Sequence, residues 1–212
     1  MTSVSSGPRV RSTQADRRAR TRAALLESAA RGLSGSGYAN LVLERVASDA
    51  GYTRGALYHL FRGKEDLALA VVGWVEETWY AEMGQLIADD ADPVRALLAV
   101  AHGHAVYCRR DVARVMMTLR VEFSGQDHPV GRAVEEATER VVLACEGLIE
   151  AGRAHGAIPA GVPSRVLALG VIGAVEGLAI NLGGQAPYDA VLAERVVRGL
   201  LGLPPGSDPA AS

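Results

Sequence analysis

Apolar residues return at three- and four-residue spacing along most of the chain, and Gly and Pro interrupt that rhythm at intervals suited to helices of a few turns. A first helix is predicted over 14–33, with Leu26, Ala29, Ala30 and Leu33 on one face, ending in the run Ser34-Gly35-Ser36-Gly37. A short second helix is predicted over 42–50, where Leu43, Val46, Ala47 and Ala50 form an i, i+3, i+4, i+7 stripe that Gly51 stops. A third follows over 53–61 and a long fourth over 64–88. Two short helices joined across a glycine turn are the layout of a helix-turn-helix. Beyond Asp92-Pro93, helices are predicted over 94–109, 111–123, 130–155, 164–182 and 188–201.

Composition narrows the fold. Aromatic residues are only 5% of the chain while Ala, Leu, Val, Glu and Arg dominate, which favours helices packed by aliphatic side chains. The expectation is an all-α protein of about nine helices: a flexible basic arm over 1–13, a helix-turn-helix domain over 14–66, a larger helical bundle over 67–203 and a flexible tail over 204–212. The net charge of −2 conceals a division. Residues 9–64 carry eleven basic against four acidic side chains, a balance of +7 that leaves the rest of the chain at −9. Charge that sorts by segment suggests that one end meets a polyanion such as nucleic acid.

Cys108 and Cys145 stand among apolar neighbours, outside any CxxC or secreted-scaffold spacing, and read as reduced core residues of a cytoplasmic protein. The apolar stretch 166–182 is short for a membrane span and contains Glu176, Asn181 and three glycines, so a buried or interface helix is expected and no membrane partner. His102 and His104, two apart, fall on different helix faces, so neither a metal site nor a cofactor is expected. An enzyme is disfavoured by the lack of a G-x-S-x-G elbow, a P-loop, an H-E-x-x-H or a glycine-rich dinucleotide turn. A helical scaffold without DNA affinity is the other rival.

The third helix carries the functional reading. Leu57, Leu60 and Phe61 gather on one side at core spacing, which leaves Arg54, Tyr58 and Arg62 on the other, flanked by Gly55 and His59, with Thr53 placed to cap the first turn. Arginine pairs bidentately with guanine, and the small Gly55 and Ala56 let the backbone approach a major groove. The run Leu43-Glu44-Arg45-Val46-Ala47-Ser48-Asp49-Ala50-Gly51-Tyr52-Thr53-Arg54-Gly55-Ala56-Leu57-Tyr58-His59-Leu60-Phe61-Arg62-Gly63-Lys64-Glu65-Asp66-Leu67 resembles the signature of the TetR (tetracycline repressor) family, a likeness spanning about 14–67. Residues 68–212 resemble that family only in helical character and length.

The resemblance implies a homodimeric DNA-binding regulator, most simply a repressor that grips a palindromic operator in double-stranded DNA and is released by a small-molecule effector; an activator or a ligand-independent regulator of the same fold is the alternative. Its DNA contacts would fall on Thr53, Arg54, Gly55, Ala56, Tyr58 and His59, with Arg54 reading a base, Tyr58 meeting a phosphate, and Lys64 touching the backbone; Arg17 and Arg18 of the first helix would add phosphate contacts. The family's hydroxyl cap at the start of the second helix is missing here, where Leu41 and Val42 stand, and Asn40 is the candidate substitute. Dimerisation would use the last two long helices. Gly170, Gly173, Ala174, Gly177 and Ala179 would permit close approach, and Val191, Val196, Val197, Leu200 and Leu201 would supply bulk. The resemblance also implies an effector cavity in the C-terminal part. Trp74, Trp79, Tyr80, Met83, His102, Tyr107, Met116, Met117, Arg120 and Phe123 are candidate linings, though most of such residues would be core. Glu176, a lone acid in an apolar helix, suits a ligand contact or an interface ion pair equally.

Overall fold

Thr13 caps the first helix reciprocally with Asp16: its hydroxyl accepts from the Asp16 N–H at 3.1 Å, and its own N–H donates to the Asp16 carboxylate at 2.9 Å. Those bonds hold the Asp16 carboxyl below its ordinary range. A computed structural model describes residues 13–88 and 92–205, so the expected arm and tail lie almost wholly outside the described residues. Within them the chain is all-α: α1 (Gln14–Ser36), α2 (Leu43–Asp49), α3 (Arg54–Leu60), α4 (Lys64–Ala88), α5 (Pro93–Tyr107), a 3-10 turn at Asp111–Arg114, α6 (Val115–Glu122), α7 (Pro129–Ala154), α8 (Ser164–Leu182) and α9 (Tyr188–Leu200).

Two boundaries differ from expectation. The first helix runs through Gly35 and stops at Gly37, whose φ of 76° is the left-handed turn that ends it. The segment expected as one helix over 111–123 opens as a 3-10 turn and becomes α-helical only at Val115. One capping expectation fails. Val42 is the N-cap of α2 with no side-chain bond, while the Asn40 amide turns back and donates to the Ser36 carbonyl at 3.0 Å, which occupies it at the end of α1.

Three apolar clusters organise the molecule. The first joins α1, α2, α3 and the first half of α4 through Leu25, Leu33, Val46, Leu57, Phe61 and Leu67, and extends to Leu119 and Phe123 of the α6 segment and Val130 of α7. Helices α1 and α4, against which α2 and α3 pack, therefore rest directly on α6 and α7. The second, built on Leu97, Ile149, Val171, Ala193 and Val197, binds α5, α7, α8 and α9 into a bundle. The third, with Trp79, Met83 and Tyr107, closes α4 against α5. At the end of α5, Arg109 reaches across to Asp189 at the start of α9 with two bonds of 2.9 and 2.7 Å, and this pairing lowers the pKa of the nearly inaccessible Asp189 carboxyl.

Among the described residues, α8 alone is long and apolar enough to cross a membrane, with a mean hydropathy of 1.6. Its charged residues are nevertheless tied to neighbouring helices, Arg165 to Glu139 of α7 and Glu176 to Arg120 of α6. Val166, Leu169 and Ile180, at 54, 49 and 65% exposure, form with Gly170, Gly173 and Gly177 a stripe along its outer side. The last helix contributes less to that surface than expected. Val197 and Leu201 are enclosed in the chain's own second cluster because they point inward beside Ala193, leaving Leu200 outside.

Candidate nucleic-acid interface and internal cavity

Helix α3 divides its residues between two environments. Leu57 and Phe61 are buried in the first cluster, whereas Arg54, Gly55, Tyr58 and His59 are exposed and Ala56 is half-buried. Thr53 caps the helix, accepting from the Ala56 N–H at 3.2 Å. The Arg54 guanidinium stands 3.0 Å from Glu44 of α2 and 5.2 Å from the centre of the Tyr58 ring. An exposed ion pair of this kind contributes about 0.2–1 kcal/mol, less than the roughly 1–3 kcal/mol of a bidentate arginine–guanine contact. Glu44 can hold Arg54 in place without preventing its transfer to a base.

Arg17 and Arg18 are exposed near the start of α1. Lys64 is half-buried and engaged within the chain: its ammonium donates to the Ala39 carbonyl at 2.8 Å and lies 4.8 Å from the centre of the Tyr38 ring. A feature not anticipated from the sequence sits beside it. Glu122, the last residue of α6, accepts from the Tyr38 N–H at 2.5 Å and from the Ala39 N–H at 2.6 Å, so its carboxylate clamps the α1–α2 loop. A Cβ on Gly37 would come within 2.6 Å of that carboxylate, so both the turn and the clamp require glycine. Phe123 stacks on His128 at 4.3 Å and meets Tyr38 edge-on at 5.2 Å, completing an aromatic joint between α6, α7 and the loop.

A cavity of about 110 Å³ lies between α4, α5, α6, α7 and α8. Of the expected residues, Trp79, Tyr80, Tyr107, Met116, Met117, Arg120 and Glu176 line it, together with His104, Thr138 and Cys145, which sequence reasoning missed. Trp74, Met83, His102 and Phe123 do not line it. Trp74 packs against the first cluster, Met83 fills the space over Gly103, His102 pairs with Glu194 at 2.6 Å on the outer surface, and Phe123 belongs to the aromatic joint.

The polar groups on the cavity wall are bonded to one another. Arg120 donates to Glu176 of α8 at 2.6 Å and to the Thr138 hydroxyl of α7 at 2.6 Å, so one side chain ties three helices. His104 Nδ1 accepts from the Trp79 indole at 3.0 Å, which leaves the ring proton on Nε2 facing Cys108 Sγ at 3.3 Å. Burial, and secondarily Arg120, lower the His104 pKa to about 4, so the ring is neutral at pH 7. Burial also raises the Cys108 thiol to about 12 and the Cys145 thiol to about 11. Among the described residues no three His, Cys, Asp or Glu side chains gather as a metal ion would need.

Residues 25–71 match the family of bacterial regulatory proteins described as the tetR family. Several solved structures share the fold over most of the chain. AibR, in complex with isovaleryl coenzyme A and operator DNA, superposes with a TM-score of 0.69 at 21% identity over 88% of this chain and 100% of its own. SCO4454, a TetR-family transcriptional regulator from Streptomyces coelicolor, gives 0.71 at 21% identity over 87% of this chain and 95% of its own. FadR from Bacillus subtilis, in complex with stearoyl-CoA, gives 0.70 at 19% identity over 84% of this chain and 96% of its own. No curated protein matches the chain by sequence.

Proposed function

We propose that this chain, whose residues 25–71 match the tetR family of bacterial regulatory proteins, is a cytoplasmic transcriptional repressor whose dimer holds a palindromic operator through α3 and lets go when a small molecule fills the internal cavity. The observation that carries this reading is the double attachment of α6. Met116, Met117 and Arg120 of this helix line the cavity, and two residues after Arg120 its Glu122 grips the loop that supports the helix-turn-helix. A change at the cavity wall is thereby linked to the placement of α2 and α3. AibR, which shares the fold, was solved with both a small molecule and operator DNA, a precedent for carrying both ligands on this architecture.

DNA contact is assigned to Thr53, Arg54, Gly55, Ala56, Tyr58 and His59, with Arg17 and Arg18 on the phosphates. Lys64 acts first as a brace for the α1–α2 loop, given its bond to Ala39. The exposed apolar and glycine stripe of α8 supports a dimer in which a second copy covers it. A two-fold arrangement would set two copies of α3 about one DNA turn apart, roughly 34–36 Å. Release then follows from linkage: an effector that prefers the conformation with misplaced recognition helices weakens DNA binding by its own differential affinity, and a nearly complete switch needs a ratio of about 10⁴, or about 5.5 kcal/mol. The cavity supports binding rather than catalysis, since its one thiol, Cys145, is protonated and its imidazole is engaged on both nitrogens.

Footprinting on DNA upstream of the coding region, with and without a metabolite library, tests the proposal. The expected result is a protected palindrome whose protection weakens with salt and disappears with one class of compound. Absence of protection by the full chain on that DNA and on a random-sequence selection library would overturn it.

A further inference from the structure

The cavity wall has no uncommitted charge. Arg120 is balanced by Glu176, and Glu76, also on the wall, has both carboxylate oxygens held by Arg140 at 2.5 and 2.8 Å. His104 is neutral. Among the described residues the one buried side-chain polar atom lacking a partner is Arg153 Nε, which is not on this wall. An anion that took the place of Glu176 on Arg120 would leave a largely buried carboxylate without its partner. An entering cation would strand Arg120 in the same way. An uncharged molecule displaces neither.

Size and surface point in the same direction. The space of about 110 Å³ is of the order of the ~150 Å³ apolar cavity that accommodates benzene. Trp79, Tyr107, Met116 and Met117 offer it ring edges and polarizable sulfur. We propose that the cavity takes a small, uncharged, apolar molecule on the scale of a single substituted aromatic ring, and not a free carboxylate or a coenzyme A thioester. This inference rests on the reading of the cavity as the effector site.

The test uses the full chain with toluene, benzyl alcohol, benzoate and isovaleryl-CoA as probes, following thermal stability, tryptophan fluorescence and retention of the footprinted DNA. Toluene and benzyl alcohol are expected to stabilise the protein saturably and release DNA, with benzoate at least about tenfold weaker. Glu176→Gln leaves Arg120 unbalanced, so benzoate should gain about tenfold while toluene is unchanged, a charge-selective response that a merely structural Glu176 would not give. Val175 and Ala137 also line the cavity: Val175→Phe, which puts a ring into it, should abolish the toluene response and keep DNA binding, and Ala137→Val, a smaller filler checked by circular dichroism, repeats the test should the larger ring disturb folding. Tighter binding of benzoate or isovaleryl-CoA than of toluene would overturn the ligand class and leave the effector site standing. No response to any probe, with DNA release by cell-extract metabolites unaltered in both fillers, would overturn the effector site as well.

Discussion

The outer face of α3 and the wall of the cavity each centre on one arginine, and the two are held in opposite ways. Arg54 is 64% exposed and shares a 3.0 Å contact with Glu44, itself 51% exposed. Arg120 is 34% exposed, faces a Glu176 that is 20% exposed, and spends a second nitrogen on Thr138 of another helix. Water would solvate both partners if the first pair opened, whereas opening the second leaves charge in apolar surroundings. In the proposed function, charge that can change partners lies where a polyanion would arrive, and charge that is locked lies where the effector would enter.

The exposed face of α3 depends on its buried one. Leu57 is wholly enclosed, so Leu57→Ala should cost about 2–5 kcal/mol in urea unfolding and take DNA binding with it. A wild-type unfolding midpoint in that variant would mean that α3 is not anchored by this side chain.

The locked interior also predicts an acid sensitivity. His104 titrates near 4 when folded against an ordinary 6.5, so between these values the unfolded chain binds the proton more readily. This stabilisation is complete above pH 6.5 and is lost as pH falls toward 4, about 2 kcal/mol of it by pH 5. His104→Asn should reduce the difference in unfolding free energy between pH 7 and pH 5 by that amount; an unchanged difference would show that the imidazole is not the group responsible. Arg54→Ala should behave conversely. It is expected to cost about 1–3 kcal/mol of operator affinity while unfolding shifts by under about 0.5 kcal/mol, as measured by paired titration and melting experiments.

These differences bear on what was legible in the sequence. The helices and their order could be read because the 3.6-residue period and the Gly and Pro breaks are local signals, and the two faces of α3 could be read because they belong to one helix. The Glu122 clamp could not, since it meets Tyr38 across 84 residues and has no spacing to betray it. Cavity residues fall between these cases. His102 and His104 could be placed on different faces, but which face turned inward depended on how α5 rolls against α4 and α9; the expected one lies outside with Glu194 and its neighbour lies within. Size and softness likewise could not separate Met117 on the wall from Met83 over Gly103.

The same chemical change should have opposite signs at the two arginines. Glu44→Gln removes the partner of Arg54 and keeps the shape. The freed guanidinium stays in water, so folding should change by less than about 0.5 kcal/mol. Binding to DNA no longer has to give up an exposed pair of about 0.2–1 kcal/mol, and an acidic group leaves the surface that would face the phosphates. Operator affinity should therefore rise, by up to about fivefold at low ionic strength, with the gain fading as salt screens the exposed charges. Glu176→Gln, the matching substitution inside, should lower unfolding stability instead, since it strands Arg120 among apolar side chains. Isotherms over a salt series for the first variant and denaturant melts for both would decide the matter. A loss of affinity in Glu44→Gln would mean that Glu44 orients Arg54 for the base, so that this exposed pair is part of the reading head.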